Sequence, residues 1–223
     1  MKSSSSTKKA KSSSSSSKEK TINALLQTKG EQFNASFTYG TMKDPRDGKT
    51  YKTTELNGQT WMAENLNYAG NKVGKSFCYG NDEDICEIYG RLYSREGAMN
   101  SDTCGYNQAC SLGDSVQGAC SDGWHIPSLS EAEDLNVLSY SSLASMTGWR
   151  VIGEDSYGLS FLPTGNKRGD KFSNIGLSAF MWVNTLGAKQ RYFVVNGNDE
   201  RVLIHQGIND TALYLSIRCV KDN

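Results

Sequence analysis

"CSDGWHIPSLSEAEDL", Cys120 to Leu135, sets a cysteine, a Gly-Trp-His turn, a proline and the start of a helix in consecutive positions. Ser128-Leu129-Ser130-Glu131 has the form of a capping box, in which the Ser hydroxyl and the Glu carboxylate each satisfy a backbone N–H left open at a helix start. Ala132, Leu135 and Leu138 then recur at three-residue spacing on one face, and Pro127 stops the helix from running backwards. The stretch predicts an amphipathic helix over 128–139, entered from an Asp122-Gly123 turn, with Trp124 filling core. His125 has the chemistry of a general base, but no nucleophile with an orienting carboxylate stands near it in the sequence. A structural histidine is the simpler reading.

Charge and cysteine usage narrow the setting. Residues 1–20 hold six Lys and one Glu, and the remainder holds eighteen basic and twenty-three acidic residues, so a basic tail precedes a mildly acidic body. An acidic body is a poor match for nucleic acid, which is bound chiefly through its phosphates; no nucleic-acid partner is expected. Six cysteines, Cys78, Cys86, Cys104, Cys110, Cys120 and Cys219, occur with no CxxC pair and only two histidines. Disulfides fit this better than zinc, and fifteen complete pairings are open. Disulfides imply an oxidising compartment. The start, "MKSSSSTKKAKSSSSSSKEK", lacks the apolar core of a signal peptide, so the export signal is expected to be missing from this chain. No run of about twenty apolar residues predicts a membrane span.

Residues 1–20 read as a disordered Ser/Lys-rich tether. Residues 21–43 read as a linker or accessory segment, with two helical turns in "TINALLQTK" and an extended "FNASFTYGTM". From Asp44 onward the signals belong to one domain, 44–223. "TYKTTELNGQTWMAENL" is two β-prone runs joined by Asn57-Gly58, a pair suited to a two-residue type I′ turn. "YGRLYSREGAMNS" spaces Leu92, Tyr93, Glu96 and Met99 as a short helix would. A loop rich in Gly, Ser, Asn and Asp follows from Cys104 to Cys120. Beyond it, "GLSFLPTG", "AFMWVNT", "RYFVVNGNDERVLIHQ" and "ALYLSIRCV" read as short strands. The last alternates Leu213, Leu215, Ile217 and Cys219 on one face with Tyr214, Ser216, Arg218 and Val220 on the other. "VVNGNDERVLI" reads as a hairpin looping through 196–199. The pattern predicts an α+β fold of two helices with antiparallel strands and long loops.

Five blocks, "DPRDGKTYKTTELNGQTWMAENLNY", "CYGNDEDICEIYGRLYSREGAMNS", "CSDGWHIPSLSEAEDL", "YGLSFLPTGNKR" and "SIRCVKD", resemble in order those of the Fibrobacter succinogenes major paralogous domain. The resemblance covers roughly residues 40–223. It implies a relative of the C-type lectin-like and formylglycine-generating-enzyme fold: two helices and twisted antiparallel strands carrying long, disulfide-stapled loops. It also implies the pairings Cys78–Cys86, Cys104–Cys110 and Cys120–Cys219, and an exported, often surface-associated protein with no general catalytic activity established. Ser94-Arg95-Glu96-Gly97 departs from the family's usual turn there and implies a more polar, weaker helix.

The resulting expectation is a non-catalytic extracellular or cell-surface binding or adhesion domain, with polysaccharide or another surface protein as partner and no cofactor. The alternative from another class is an oxidase of the formylglycine-generating type, which needs reactive thiols. "MWVNT" falls about where lectins carry Trp-Asn-Asp, but Thr185 replaces the acid and no Glu-Pro-Asn occurs, so no lectin-type calcium site is expected. Trp182, Asn184, Arg191, Tyr192, Asn196, Asn198, Asp199 and Glu200 are the candidate binding residues, on the strands and loop that the resembled fold uses for recognition. The acidic stretch Asn81 to Glu87 reads as a solvated loop, with cation binding as the sharper alternative.

Overall fold

Asn57 and Gly58 both take positive φ, 53° and 81°, as a type I′ turn requires. They join antiparallel strands in which Leu56 faces Gln59 and Thr53 faces Met62. Around this hairpin the computed structural model describes residues 29–70, 75–104, 110, 113, 115–184, 190–197, 202–207 and 212–223. The tether, the helical turns expected at 21–28, and candidates Asn198, Asp199 and Glu200 lie outside these residues.

Among the described residues the strands are β1 (Gly40–Lys43), β2 (Thr50–Leu56), β3 (Gln59–Met62), β4 (Ser76–Phe77), β5 (Leu92–Ser94), β6 (Trp124–His125), β7 (Asn166–Arg168), β8 (Lys171–Ser173), β9 (Ser178–Val183), β10 (Gln190–Asn196), β11 (Leu203–Gly207), β12 (Leu213–Leu215) and β13 (Val220–Lys221). The α-helices are α1 (Glu83–Tyr89), α2 (Arg95–Met99), α3 (Leu129–Asn136) and α4 (Tyr140–Leu143). The sheets run β1-β2-β3-β13-β6, β11-β10-β9 and β4-β5-β12-β7-β8.

This corrects the expected fold class. The chain is mostly β, and its longest described helix has 8 residues; it is not the two-helix, C-type lectin-like α+β fold. Two of the predicted helical signals are the reason. Leu92–Ser94, expected as helix, pairs with β4 and β12 instead, and Leu92 and Tyr93 are both buried. Only the polar Arg95–Met99 turn remains helical, capped by the Ser94 side chain, which accepts from the Gly97 N–H. In "CSDGWHIPSLSEAEDL" the capping box forms as expected, with reciprocal Ser128 and Glu131 bonds, but α3 stops at Asn136, short of the predicted 139.

The stretch from 213 to 221 stitches the sheets together. Leu213–Leu215 sits in the third sheet, Ser216 exchanges backbone hydrogen bonds with Phe180 and Trp182 of β9, and Val220 pairs with both Trp61 and His125 in the first. The expected alternation of an inward and an outward face is therefore absent: Leu215, Ile217 and Cys219 are fully buried, and so are Ser216, Arg218 and Val220. The physical reason is that this layer separates two apolar clusters. Met62, Trp182, Ile217 and Cys219 face one; Trp61, Met181 and Val220 face the other, with Leu135, Phe161 and Phe193.

The segment read as a linker is part of the domain in its described portion. β1 pairs with β2 from Gly40↔Thr53 to Lys43↔Thr50, and the Lys52 ammonium lies 4.0 Å from the Phe33 ring centroid and 5.0 Å from that of Tyr39. Phe33 to Phe37 turns rather than extends, because the Asn34 side chain accepts from the Ser36 N–H at 2.9 Å, an Asx-type local bond. The acidic stretch 81–87 is likewise not a loop: Asp82 caps α1, its carboxylate accepting from the Asp84 N–H. Gly90 ends that helix at φ 72°, and a Cβ there would lie 2.6 Å from the Asn65 Cβ. Gly90→Ala is expected to destabilise the domain by at least ~1 kcal/mol, read by urea denaturation; an unchanged midpoint would show that the Asn65 backbone yields.

Candidate binding cleft

The six cysteines pair as Cys78–Cys86, Cys104–Cys110 and Cys120–Cys219, and none is free. The last pins the segment entering β6 to the final strand, and beside it opens a cleft of about 340 Å³. Its side chains come from separate parts of the chain: Arg46 and Tyr68 on one side, Lys75 and Ser76 at β4, Asn100 after α2, and Gln117 before the disulfide.

Each wall is held from behind. Arg46 donates through Nε and Nη2 to Asp44 at 2.8 and 2.6 Å and through Nη1 to the Cys120 carbonyl at 3.0 Å. Its guanidinium carbon lies 3.8 Å from the Tyr68 ring centroid. Burial acts to raise the pKa of the Asp44 carboxyl, but the hydrogen bonds from Arg46 outweigh it and hold the group below its ordinary value. Lys75 is ion-paired with Glu96. The Ser76 hydroxyl donates to the Ala69 carbonyl at 3.1 Å. Gln117 donates to Asp122 at 2.8 Å. Asn100 closes α2 in the left-handed conformation, φ 51°, with its side chain exposed. Tyr93 lies beneath, donating its hydroxyl to the Tyr68 carbonyl at 2.7 Å.

Trp182, the first of the predicted binding residues, supports this floor from the core. It is fully buried, and its indole N–H donates to the Tyr93 carbonyl at 2.7 Å, so its ring offers no face to a ligand. Asn184 is also buried and donates to the Gly113 carbonyl at 3.2 Å. Tyr192 pairs across the strands with Trp182 and His205, so these three share a face, and the Tyr192 and His205 rings stack at 5.5 Å. Asn196 follows Tyr192 by an even spacing onto that face, whereas Arg191, opposite Val183, projects from the other. The described members of the predicted set are therefore not gathered into one surface. The cleft residues were not legible in the sequence, because they belong to separate segments, from Arg46 to Gln117, with no shared periodicity.

His125 is held on both ring nitrogens. Nδ1 lies 2.6 Å from Asp222 and Nε2 3.0 Å from Glu131. The Glu131 hydrogen bond raises its pKa, burial opposes this, and Asp222 adds to the rise. An imidazolium donating to two carboxylates has no lone pair to act as base. Its stabilising contribution is complete below the unfolded imidazole value of about 6.5 and is lost as pH climbs through the higher folded value. Glu131 runs oppositely: burial raises its pKa, but His125 and Ser128 outweigh burial and lower it, so its contribution is lost as pH falls through that lowered value. His125→Gln is expected to flatten the fall in melting temperature above about pH 6.5; an unaltered slope would remove His125 as its source.

One acidic group beside sulfur, Glu83 with Cys78 and Cys86, has the proximity of a metal site, but both sulfurs are in one disulfide and offer no thiolate. Glu83 instead pairs with Arg91 at 2.9 Å. No helix among the described residues is long and apolar enough to cross a membrane.

The family model described as the Fibrobacter succinogenes major domain matches residues 54–221. Comparisons with curated proteins and with solved structures returned no match.

Proposed function

The chain belongs to the Fibrobacter succinogenes major domain family, and from that premise we propose that it is a non-catalytic binding domain, extracellular or at the cell surface, that takes polysaccharide in the Tyr68 cleft. The observation that carries this reading is the make-up of the cleft. An aromatic ring, a guanidinium, two amides and a hydroxyl converge on about 340 Å³, and most are fixed by partners behind them before any ligand arrives. Such preorganisation reduces the entropy cost of binding. Planar hydrogen-bonding groups around an aromatic suit the alternating hydroxyl and C–H faces of sugars. Three disulfides suit an oxidising compartment.

The oxidase alternative lacks support here. All six cysteines are paired, and the chemistry would need an accessible thiolate.

Tyr68→Ala and Asn100→Ala are the variants that test the site. Each is expected to weaken retention on the bound polysaccharide by roughly tenfold, ~1.4 kcal/mol; because Asn100 sits at φ 51°, where Ala is strained, retention by Asn100→Ala is measured below its lowered melting temperature. Full retention by both variants would remove the cleft as the site, and retention only on an immobilised surface protein would replace polysaccharide as the partner.

A further inference from the structure

We infer that the cleft selects uncharged polysaccharide over polyuronate, and that two internal ion pairs, Arg46–Asp44 and Lys75–Glu96, set that selectivity. The inference rests on the cleft being the ligand site. Among the described residues, both cations lining the cleft, Arg46 and Lys75, already carry a carboxylate of the chain itself. Asp44 is fully buried and holds Arg46 with two bonds, at 2.8 and 2.6 Å, so a ligand carboxylate cannot take over that fork without stranding a buried acid. Glu96 occupies Lys75, with side-chain exposures of 29% and 31% that leave the pair accessible at the rim.

What Arg46 still offers is hydrogen bonding without net charge. Of the five N–H donors of a guanidinium, three are used on Asp44 and Cys120. Two remain, one on each terminal nitrogen, next to the Tyr68 ring. A sugar hydroxyl can accept from them. An incoming carboxylate would meet the same donors but also the field of Asp44, and like charges brought together oppose binding.

The test uses the intact chain and matched ligand pairs that differ in oxidation at C6: glucan against polyglucuronate, galactan against polygalacturonate, mannan against polymannuronate. The wild type is expected to bind a neutral member, with affinity nearly independent of salt. Glu96→Gln, which frees Lys75 at a partly exposed position, is expected to gain binding of the acidic member of that pair by roughly tenfold, lost again at high salt. Asp44→Asn should do the same for Arg46, and because it alters a buried group its melting curve is read first; Glu96→Gln carries the test if it unfolds.

A wild-type preference for the polyuronate, salt-sensitive and lost in Tyr68→Ala, would overturn the selectivity while leaving the cleft as the site. Failure of Glu96→Gln to gain acidic binding would remove the Lys75 pair as its cause. Binding of neither member of any pair by folded protein would overturn both the selectivity and the polysaccharide reading.

Discussion

Replacing Cys120 and Cys219 together by Ala is expected to lower the stability of the domain by about 4–5 kcal/mol in the chain-entropy model. The bond spans 99 residues of sequence, so its loss releases a long closed loop in the unfolded chain. The Cys104–Cys110 bond spans 6, and the same model gives its removal a cost of only about 2.2 kcal/mol. Urea denaturation of the two double variants checks the contrast. Equal losses would show that native contacts around each bond, rather than unfolded-chain entropy, set its value. The long bond also acts locally: the Cys219 carbonyl accepts from the Met62 N–H at 2.9 Å, and the Cys120 carbonyl accepts from Arg46. Losing the bond is therefore expected to loosen the cleft as well as the fold, seen as weaker polysaccharide retention under conditions where the variant is still folded.

The second large effect is expected at Arg218. The residue is fully buried, and burial pulls its pKa down to about 9 against the opposing fields of Asp155 and Glu64, which still leaves it charged at neutral pH. Its Nε and Nη2 donate to the Asn65 side-chain oxygen at 3.2 and 2.9 Å. Nη1 donates to the Leu159 carbonyl, and the guanidinium lies 4.2 Å over the Phe161 ring. Arg218→Ala strips donors from the Asn65 side-chain oxygen and the Leu159 and Ser160 carbonyls and opens a cavity between the two apolar clusters. A loss of about 3–5 kcal/mol is expected, measured by urea denaturation. Arg218→Met separates the contributions by restoring volume without charge. Recovery of most of the loss by Met would assign the residue a packing role, and no recovery would assign its effect to the acceptors left without donors. A loss below about 1 kcal/mol for Ala would mean that the layer closes over the gap.

The packing of Arg46 against the Tyr68 ring on one wall of the cleft and the burial of Arg218 share a cause. Both depend on segments distant in sequence meeting: Arg46 reaches Cys120 and Tyr68, and Arg218 reaches Asn65 and Leu159. Tyr93 shows the same dependence: its backbone joins β4 and β12, its hydroxyl holds the Tyr68 carbonyl, and its own carbonyl receives Trp182. Its environment pushes the phenol well above its ordinary value, chiefly by burial, as suits a group that serves only as a donor.

The local sequence by itself determined what a few adjacent residues can decide. Asn57-Gly58 specifies its turn through the φ values those two residues tolerate, and Ser128 with Glu131 specifies a helix start through bonds three residues apart. Cysteine number and spacing pointed to disulfides, and five ordered blocks pointed to the family. Tertiary structure alone decided that Leu92–Ser94 is strand, because its partners at 76–77 and 214–215 supply the hydrogen bonds that a helix would have supplied internally. It decided equally that Ser216, Arg218 and Val220 are buried, since alternation reports amphipathicity only where one face meets water, and this layer has core on both sides. The cleft belongs to the same class: its residues acquire a common chemistry only when the Cys120–Cys219 bond and the three sheets bring their segments to one place.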